Sequence, residues 1–192
     1  MKKILLIGGG GHCKSVIDII EQEGQFKVVG IIDKAELFGT TVLGYPVIGE
    51  DSDLESLSKK YTYALITIGQ IISPEPRKKL FDIVKKAGYI LPSIISPRAY
   101  VSRHASIGDG TVVMHDALIN ANAIIGNNCI INSKALIEHD SKISAHCHIS
   151  TSVTINGGVT VGSGCFIGSG TTTKESIVIK KNSFIKAGSL VT

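Results

Sequence analysis

From Ile95 onward an aliphatic residue returns at every sixth position, through Val101, Ile107, Val113, Ile119 and on to Val191, with Thr173 the one exception. The fourth residue after each is usually small, as at Ala99, Ala105, Thr111 and Ala117. Gly, Asn and Asp fill much of what lies between, as in Gly108-Asp109-Gly110 and Gly126-Asn127-Asn128, where tight turns need residues tolerant of positive φ. A repeat of six reads as short strand, turn, short strand, turn, with three repeats closing a triangular coil of 18 residues. Large and small interior positions then alternate. Roughly five such coils make a prism about 25 Å tall at the strand spacing.

The same arithmetic explains three of the four cysteines. Cys129, Cys147 and Cys165 are each 18 residues apart and so stack on successive coils. No C-x-x-C pair occurs, and small buried thiols are expected there as packing residues in a reducing compartment.

The first half has a different rhythm, alternating strands and helices. Lys3 to Ile7 predicts a strand, Gly8-Gly9-Gly10-Gly11 a turn, and His12 to Glu23 a helix ended by Gly24. Lys27 to Ile32 predicts a second strand closing on Asp33, and Gly44-Tyr45-Pro46 lies in a polar connection. Asp51 is expected to cap a helix reaching about Lys60, and Tyr63 to Ile68 to form a third strand. Ser73-Pro74 then opens a helix, with Pro74 at its first position, that ends at Gly88. Leu91-Pro92-Ser93 joins the halves, predicting domains 1–90 and 91–192.

Gly8, Gly10 and Asp33 suggest a dinucleotide fold, but Cys13 stands where the third glycine of G-x-G-x-x-G belongs. About 90 residues provide half of a doubly wound sheet, suited to one nucleotide. A glycine turn at a helix N-terminus can offer its N–H groups to a diphosphate.

Charge excludes other partners. Lys and Arg number 20 against 16 Asp and Glu, Trp is absent, and aromatics make up 5%. Neither half is a basic arm, so nucleic acid is not expected. The apolar run after Met1-Lys2-Lys3 stops at Gly8, too short for a signal peptide or a span, which predicts a cytoplasmic protein without membrane partners.

The chain resembles bacterial nucleotide-sugar acetyltransferases of the sialic acid O-acetyltransferase and UDP-4-amino-sugar N-acetyltransferase group. The likeness is carried by Ile7 to His12, Ile32-Asp33, Ile68-Gly69, Asn132 and Ile137-Glu138-His139-Asp140. It implies an α/β Rossmann-like domain followed by an all-β left-handed parallel β-helix, a hexapeptide-repeat solenoid; period six alone leaves the hand open. It also implies acetyl-CoA as cosubstrate, and a homotrimer with active sites between subunits.

The resemblance makes His139 the general base and Asp140 the carboxylate that orients it. Such a base suits an amine or hydroxyl that loses a proton as it attacks a thioester, with backbone N–H groups taking the oxyanion. By the same resemblance His148 and Gly157 contact acetyl-CoA, and Asn132 lies beside the active site. Gly10, Gly11, His12, Asp33, Lys34 and Gly69 are implied to line the nucleotide-sugar site; some members carry a carboxylate where Lys34 stands. Gly69-Gln70-Ile71 departs from the usual Asn-containing turn, and members usually continue past Gly188 to Thr192 into a further tail. His104, His115 and His146 read as coil residues without assigned roles.

His139 and His148 are half a coil apart and point to different faces, so they are expected to meet only across subunits. The function so implied is N-acetylation of the 4-amino group of a UDP-linked 4-amino-4,6-dideoxy sugar for bacterial surface glycans. Alternatives are O-acetylation of sialic acid or a related nonulosonate, a zinc carbonic anhydrase-like trimer, and a non-catalytic nucleotide-sugar scaffold. Three converging histidines would be needed for zinc, and no metal ligand is assigned.

Overall fold

The computed structural model describes residues 1–192, which divide into two units: Met1–Gly69 with Pro76–Pro92, and Gln70–Glu75 with Ser93–Thr192. In the first unit, β1 (Lys2–Ile7) leads into α1 (Gly11–Glu23) and β2 (Phe26–Ile32). A hairpin of β3 (Thr41–Val42) and β4 (Tyr45–Gly49) follows, then α2 (Leu54–Ser58), β5 (Tyr63–Ile66) and α3 (Glu75–Lys86). The sheet order is β3-β4-β2-β1-β5, parallel except for the hairpin. β1 is interior, between β2 and β5, and Ile4, Leu5, Leu6 and Ile7 are at most 1% exposed, as a strand covered on both faces requires. α1 buries Cys13, Val16, Ile17, Ile19 and Ile20 and ends where Gly24 adopts φ 73° and donates to the Ile20 carbonyl.

Several sequence expectations shift here. The stretch around Gly44-Tyr45-Pro46 is a hairpin whose turn residues Leu43 and Gly44 have φ of 48° and 84°. Pro46, which lacks an N–H, is tolerated in β4 because few donors are needed opposite a two-residue partner. Glu50, not Asp51, caps the next helix in a reciprocal box with Asp53; Asp51–Asp53 form a 3-10 turn, and α2 stops at Ser58 rather than Lys60. β5 ends at Ile66, two residues short of Ile68, and α1 begins at Gly11 rather than His12. α3 begins at Glu75, so Pro76 rather than Pro74 lies in its first turn, and the Glu75 N–H donates to Ser73 Oγ at 3.2 Å.

The second unit is built from two-residue strands in three parallel sheets. One runs from Tyr100–Val101 through Leu136–Ile137 to Leu190–Val191, another from Ser106–Ile107 through Lys142–Ile143 to Val178–Ile179. The third runs from Ile94–Ile95 through His148–Ile149 to Phe184–Ile185. Every pairing joins residues 18 apart, as Ile119↔Ile137 and Ile131↔Ile149, so each coil has the expected length. The second residue of each strand points inward, and Val113, Ile119, Ile131, Ile137 and Ile149 are unexposed.

Corners repeat with the same period. Residues at six-residue intervals, among them Asp116, Asn122, Asn128, Lys134, Asp140 and His146, hold φ between 54° and 62°. The small interior residues have a second task beyond packing. Cys129, Cys147 and Cys165 donate Sγ–H to the carbonyls of Ser144, Gly162 and Lys180 at 3.2, 3.1 and 3.0 Å. Thr111, Ser141 and Thr171 do the same with hydroxyls. Corner carbonyls that would be orphaned inside the prism are thereby satisfied. The neighbouring thiols Cys129 and Cys165, followed by burial, push the Cys147 thiol far up.

Candidate active site

His139 and Asp140 form the corner between Leu136–Ile137 and Lys142–Ile143. Left-handed backbone at Asp140, φ 61°, brings its carboxylate to the preceding ring: Oδ2 lies 2.7 Å from His139 Nδ1. Asp140 Oδ1 accepts from Asn122 Nδ2 at 2.7 Å, and Glu138 Oε2 accepts from Asn120 Nδ2 at 2.7 Å. Asn122 and Asn120 sit one coil before the residues they hold. Hydrogen bonding to Asp140 raises the His139 pKa above its ordinary 6.5. Asn122, then His139, hold the Asp140 carboxyl below its usual range.

The far side of the ring faces Gly157, one coil on. A Cβ placed on Gly157 would stand 3.0 Å from both His139 Cε1 and Nε2. A cavity of about 580 Å³ opens there, lined by Glu138, His139, Asp140, Asn156, Gly157 and Glu175 among others. The arrangement is a carboxylate-held imidazole whose Nε2 faces an open pocket, suited to accepting a proton.

His148 and Asn132 lie elsewhere on the prism. His148 starts a strand of the third sheet and is 8% exposed, with Nδ1 2.5 Å from the Gln70 carbonyl and Nε2 3.2 Å from Asn132 Nδ2. His146 Nδ1 is paired with Asn128 Nδ2 at 3.0 Å, and His115 Nδ1 with Ser96 Oγ at 2.7 Å. His139, His146 and His148 therefore do not converge within one chain. Asn132 and His148 meet each other but not His139.

In the first unit the implied nucleotide residues gather at the carboxyl ends of parallel strands, where open α/β sheets bind ligands. Gly8, φ 100°, packs so closely on Ile68 that a Cβ would overlap its Cγ2. The Gly9 N–H donates to Asp33 Oδ2 at 2.6 Å, and the Lys34 N–H to Asp33 Oδ1 at 2.8 Å. Asp33 thus tethers the glycine turn to the end of β2. Above Gly10, Gly11 and Gly69 nothing lies within 4 Å of a would-be Cβ, so backbone there is open to a ligand. A cavity of about 370 Å³ is lined by Gly8, Asp33, Lys34, Glu50, Asp51 and Ser52 among others. His12 is the second residue of α1 and does not line it. Burial, then Asp33, raises the Asp51 pKa.

Residues 3–84 match the family described as PglD N-terminal domain, and residues 104–139 the family described as bacterial transferase hexapeptide (six repeats). The chain is 33% identical to perosamine N-acetyltransferase from Caulobacter crescentus, solved as a mutant with CoA and GDP-perosamine. That match covers 100% of this chain and 89% of that one at a TM-score of 0.94. The chain belongs to the hexapeptide-repeat nucleotide-sugar acetyltransferases. The acetyltransferase domain of PglB from Neisseria gonorrhoeae is 29% identical, with 100% and 92% coverage and a TM-score of 0.93. WeeI from Acinetobacter baumannii, 22% identical over 100% and 97% of the two chains at a TM-score of 0.76, shares the fold. No curated protein matches the chain.

With this membership, the α/β unit followed by the left-handed β-helix agrees with the sequence reading. Residues of this acetyltransferase that the sequence reading placed at neither site are Asn120, Asn122, Glu50, Asp51 and Gln70, with Asp51 entering that reading only as a helix cap. The two asparagines were reachable by subtracting one coil from 138 and 140. Glu50 and Asp51 come from the misread hairpin and cap, and no local pattern marks them. No helix is long and apolar enough to cross a membrane.

Proposed function

We propose that this enzyme transfers the acetyl group of acetyl-CoA to the 4-amino group of a UDP-linked 4-amino-4,6-dideoxy sugar, for bacterial surface glycans, with His139 as general base. The observation that carries this reading is the His139 imidazole, held at Nδ1 by Asp140 and presenting Nε2 to the pocket beside Gly157. The perosamine enzyme was solved with CoA and GDP-perosamine together, which supports direct transfer without an acyl-enzyme. Structures of that enzyme include variants with one histidine replaced by Asn or by Ala.

In the proposed reaction the neutral amine attacks the thioester carbonyl. A C–N bond forms, Nε2 of His139 takes the amine proton, the C–S bond breaks, and that proton returns to the departing thiolate. Asp140 stabilises the intervening imidazolium. Gly157 is proposed to donate its N–H to the oxyanion. At equivalent corners the preceding side chain accepts this N–H, from Ala121 to Asn120 Oδ1 at 2.7 Å and from Ser133 to Asn132 Oδ1 at 2.8 Å. The Asn156 amide is instead swung to the next coil, its Nδ2 donating to the Thr173 carbonyl at 2.7 Å and its main-chain N–H to Thr173 Oγ1 at 3.0 Å, and it makes no bond to the Gly157 N–H.

We assign nucleotide-sugar binding to residues 1–90 and acetyl transfer to 91–192. Gly10, Gly11, His12 and Gly69 are placed at the diphosphate and sugar, and Asp33 and Lys34 toward the nucleoside, where three carboxylates would repel phosphate. Asn132 and His148 of one subunit are proposed to complete the pocket of another subunit's His139 in a homotrimer, since one chain keeps them apart. Four buried thiols without a disulfide and the two proposed substrates fit a cytoplasmic enzyme.

Thiol release from acetyl-CoA tests the reading. The acceptors are UDP- and GDP-linked 4-amino-4,6-dideoxy sugars, free sialic acid and its CMP conjugate. Release with the UDP-linked amino sugar, lost in His139→Ala, is expected. Faster release with the GDP sugar would replace uridine by guanosine in the acceptor, and release only with sialic acid would overturn N-acetylation.

A further inference from the structure

The segment Gln70–Glu75 contains one buried residue amid exposed ones. Gln70 is 3% exposed, whereas Ile71 and Ile72 are 61% and 92% exposed. Its side-chain Nε2 donates to the main-chain carbonyls of His146 at 2.9 Å and Cys165 at 3.3 Å, on successive coils. The amide orientation follows, because its oxygen could not face two carbonyls. So anchored, the Gln70 main-chain carbonyl meets His148 Nδ1 at 2.5 Å.

Hydrogen-bond direction along this line admits one solution. The Ser133 N–H donates to Asn132 Oδ1 at 2.8 Å, so Asn132 turns its Nδ2 to His148 Nε2 at 3.2 Å. Nε2 must then be the acceptor. Nδ1 carries the proton and donates it to Gln70, leaving His148 neutral with its tautomer set. Phe166 lies edge-on to the ring, centroids 5.3 Å apart, and restricts its rotation. One Nδ2 hydrogen of half-buried Asn132 remains beyond those used by His148.

We propose that Gln70 is a positioning residue: its carbonyl fixes the His148 ring through Nδ1, so that Nε2 holds one N–H of the Asn132 amide already oriented by the Ser133 N–H, and the remaining Asn132 N–H is offered to a carbonyl oxygen of acetyl-CoA. This rests on the assignment of His148 to acetyl-CoA, and it moves Asn132, which the resemblance places only beside the active site, to the same side. The line presents donors only, so it selects an acceptor group on the ligand, and neutral His148 gives no N–H to the acetyl oxygen. Gln70 itself touches no reacting atom.

Gln70→Met keeps the side-chain volume and removes the Nε2 donors; Ile71→Ala in the same segment is the control. Two readouts apply to each: the ¹⁵N shifts of the His148 ring, and acetyl-CoA affinity by calorimetry. The wild type is expected to carry the His148 proton on Nδ1. Gln70→Met is expected to mix the tautomers and weaken acetyl-CoA binding about tenfold, the effect of one lost hydrogen bond, while Ile71→Ala does neither. A proton on Nε2 in the wild type overturns the proposal without any variant having to fold. So does unchanged affinity in a folded Gln70→Met protein. A wild type that binds acetyl-CoA but acetylates no amino sugar defeats the acceptor assignment alone and leaves this inference readable.

Discussion

Nδ1 of His139 and Oδ2 of Asp140 are 2.7 Å apart although the two residues are sequence neighbours, a contact made possible by the left-handed backbone of Asp140 at φ 61°. Adjacent side chains on a strand point to opposite faces, so this pairing needs a corner. The corner also leaves Nε2 facing the pocket, and the carboxylate is restrained in turn by Asn122. Replacing His139 by Ala removes the proposed base while leaving the coil intact. Turnover is expected to fall about 10²–10⁴-fold with acetyl-CoA affinity unchanged, read by thiol release and calorimetry. Equal loss of affinity would count against a base.

Asp140→Asn separates orientation from charge. The raised His139 pKa requires a negative partner, so losing that charge lowers the pKa. Because the neutral ring is the active form, activity rises with pH through this pKa, and the acid limb of kcat/KM is expected to move to lower pH. Plateau kcat should fall about 10²-fold as the base weakens. A limb unmoved or shifted upward contradicts the assignment.

Gly157→Ala places a methyl group 3.0 Å from His139 Cε1 and Nε2. The ring is expected to tilt away, lowering kcat by as much as about 10²-fold with little change in melting temperature. Kinetics and a thermal melt on one preparation check this.

Asp33→Ala releases the Gly9 and Lys34 N–H groups that the carboxylate now holds. Nucleotide-sugar KM is expected to rise about tenfold, with acetyl-CoA KM unchanged. A rise in both would place Asp33 outside the nucleotide site.

All four cysteines are 0% exposed, and burial raises the Cys13 pKa to about 11. The native protein is expected to show no thiol reactive to Ellman's reagent on the timescale of the assay, and four after denaturation. Rapid native reaction at any position would mean that a coil opens.

Legibility differed between the halves for a physical reason. A solenoid writes each coil into the chain at constant spacing, so Ile119, Ile137 and Ile155 announce their stacking without knowledge of the fold. The α/β unit depends on distant strands finding one another. Pro46 and the brief Thr41–Val42 pairing carry little local signal, and the capping role of Glu50 depends on Asp53 folding back to it.

The candidate site divides along the same line. Residue types at 139, 140 and 157 follow from the repeat and its family resemblance, and the 18-residue period brings Gly157 against the ring. Gln70 lies 76 and 78 residues from His146 and His148, and nothing in its neighbourhood announces a partner. By itself the sequence determined the solenoid, its coil length and its thiol column, because one local rule repeats at every turn. Only the tertiary structure decided the His148 tautomer, the tether from Asp33 to Gly9 and the gathering of Glu50 and Asp51 beside them, since each depends on groups that meet only once the chain has folded.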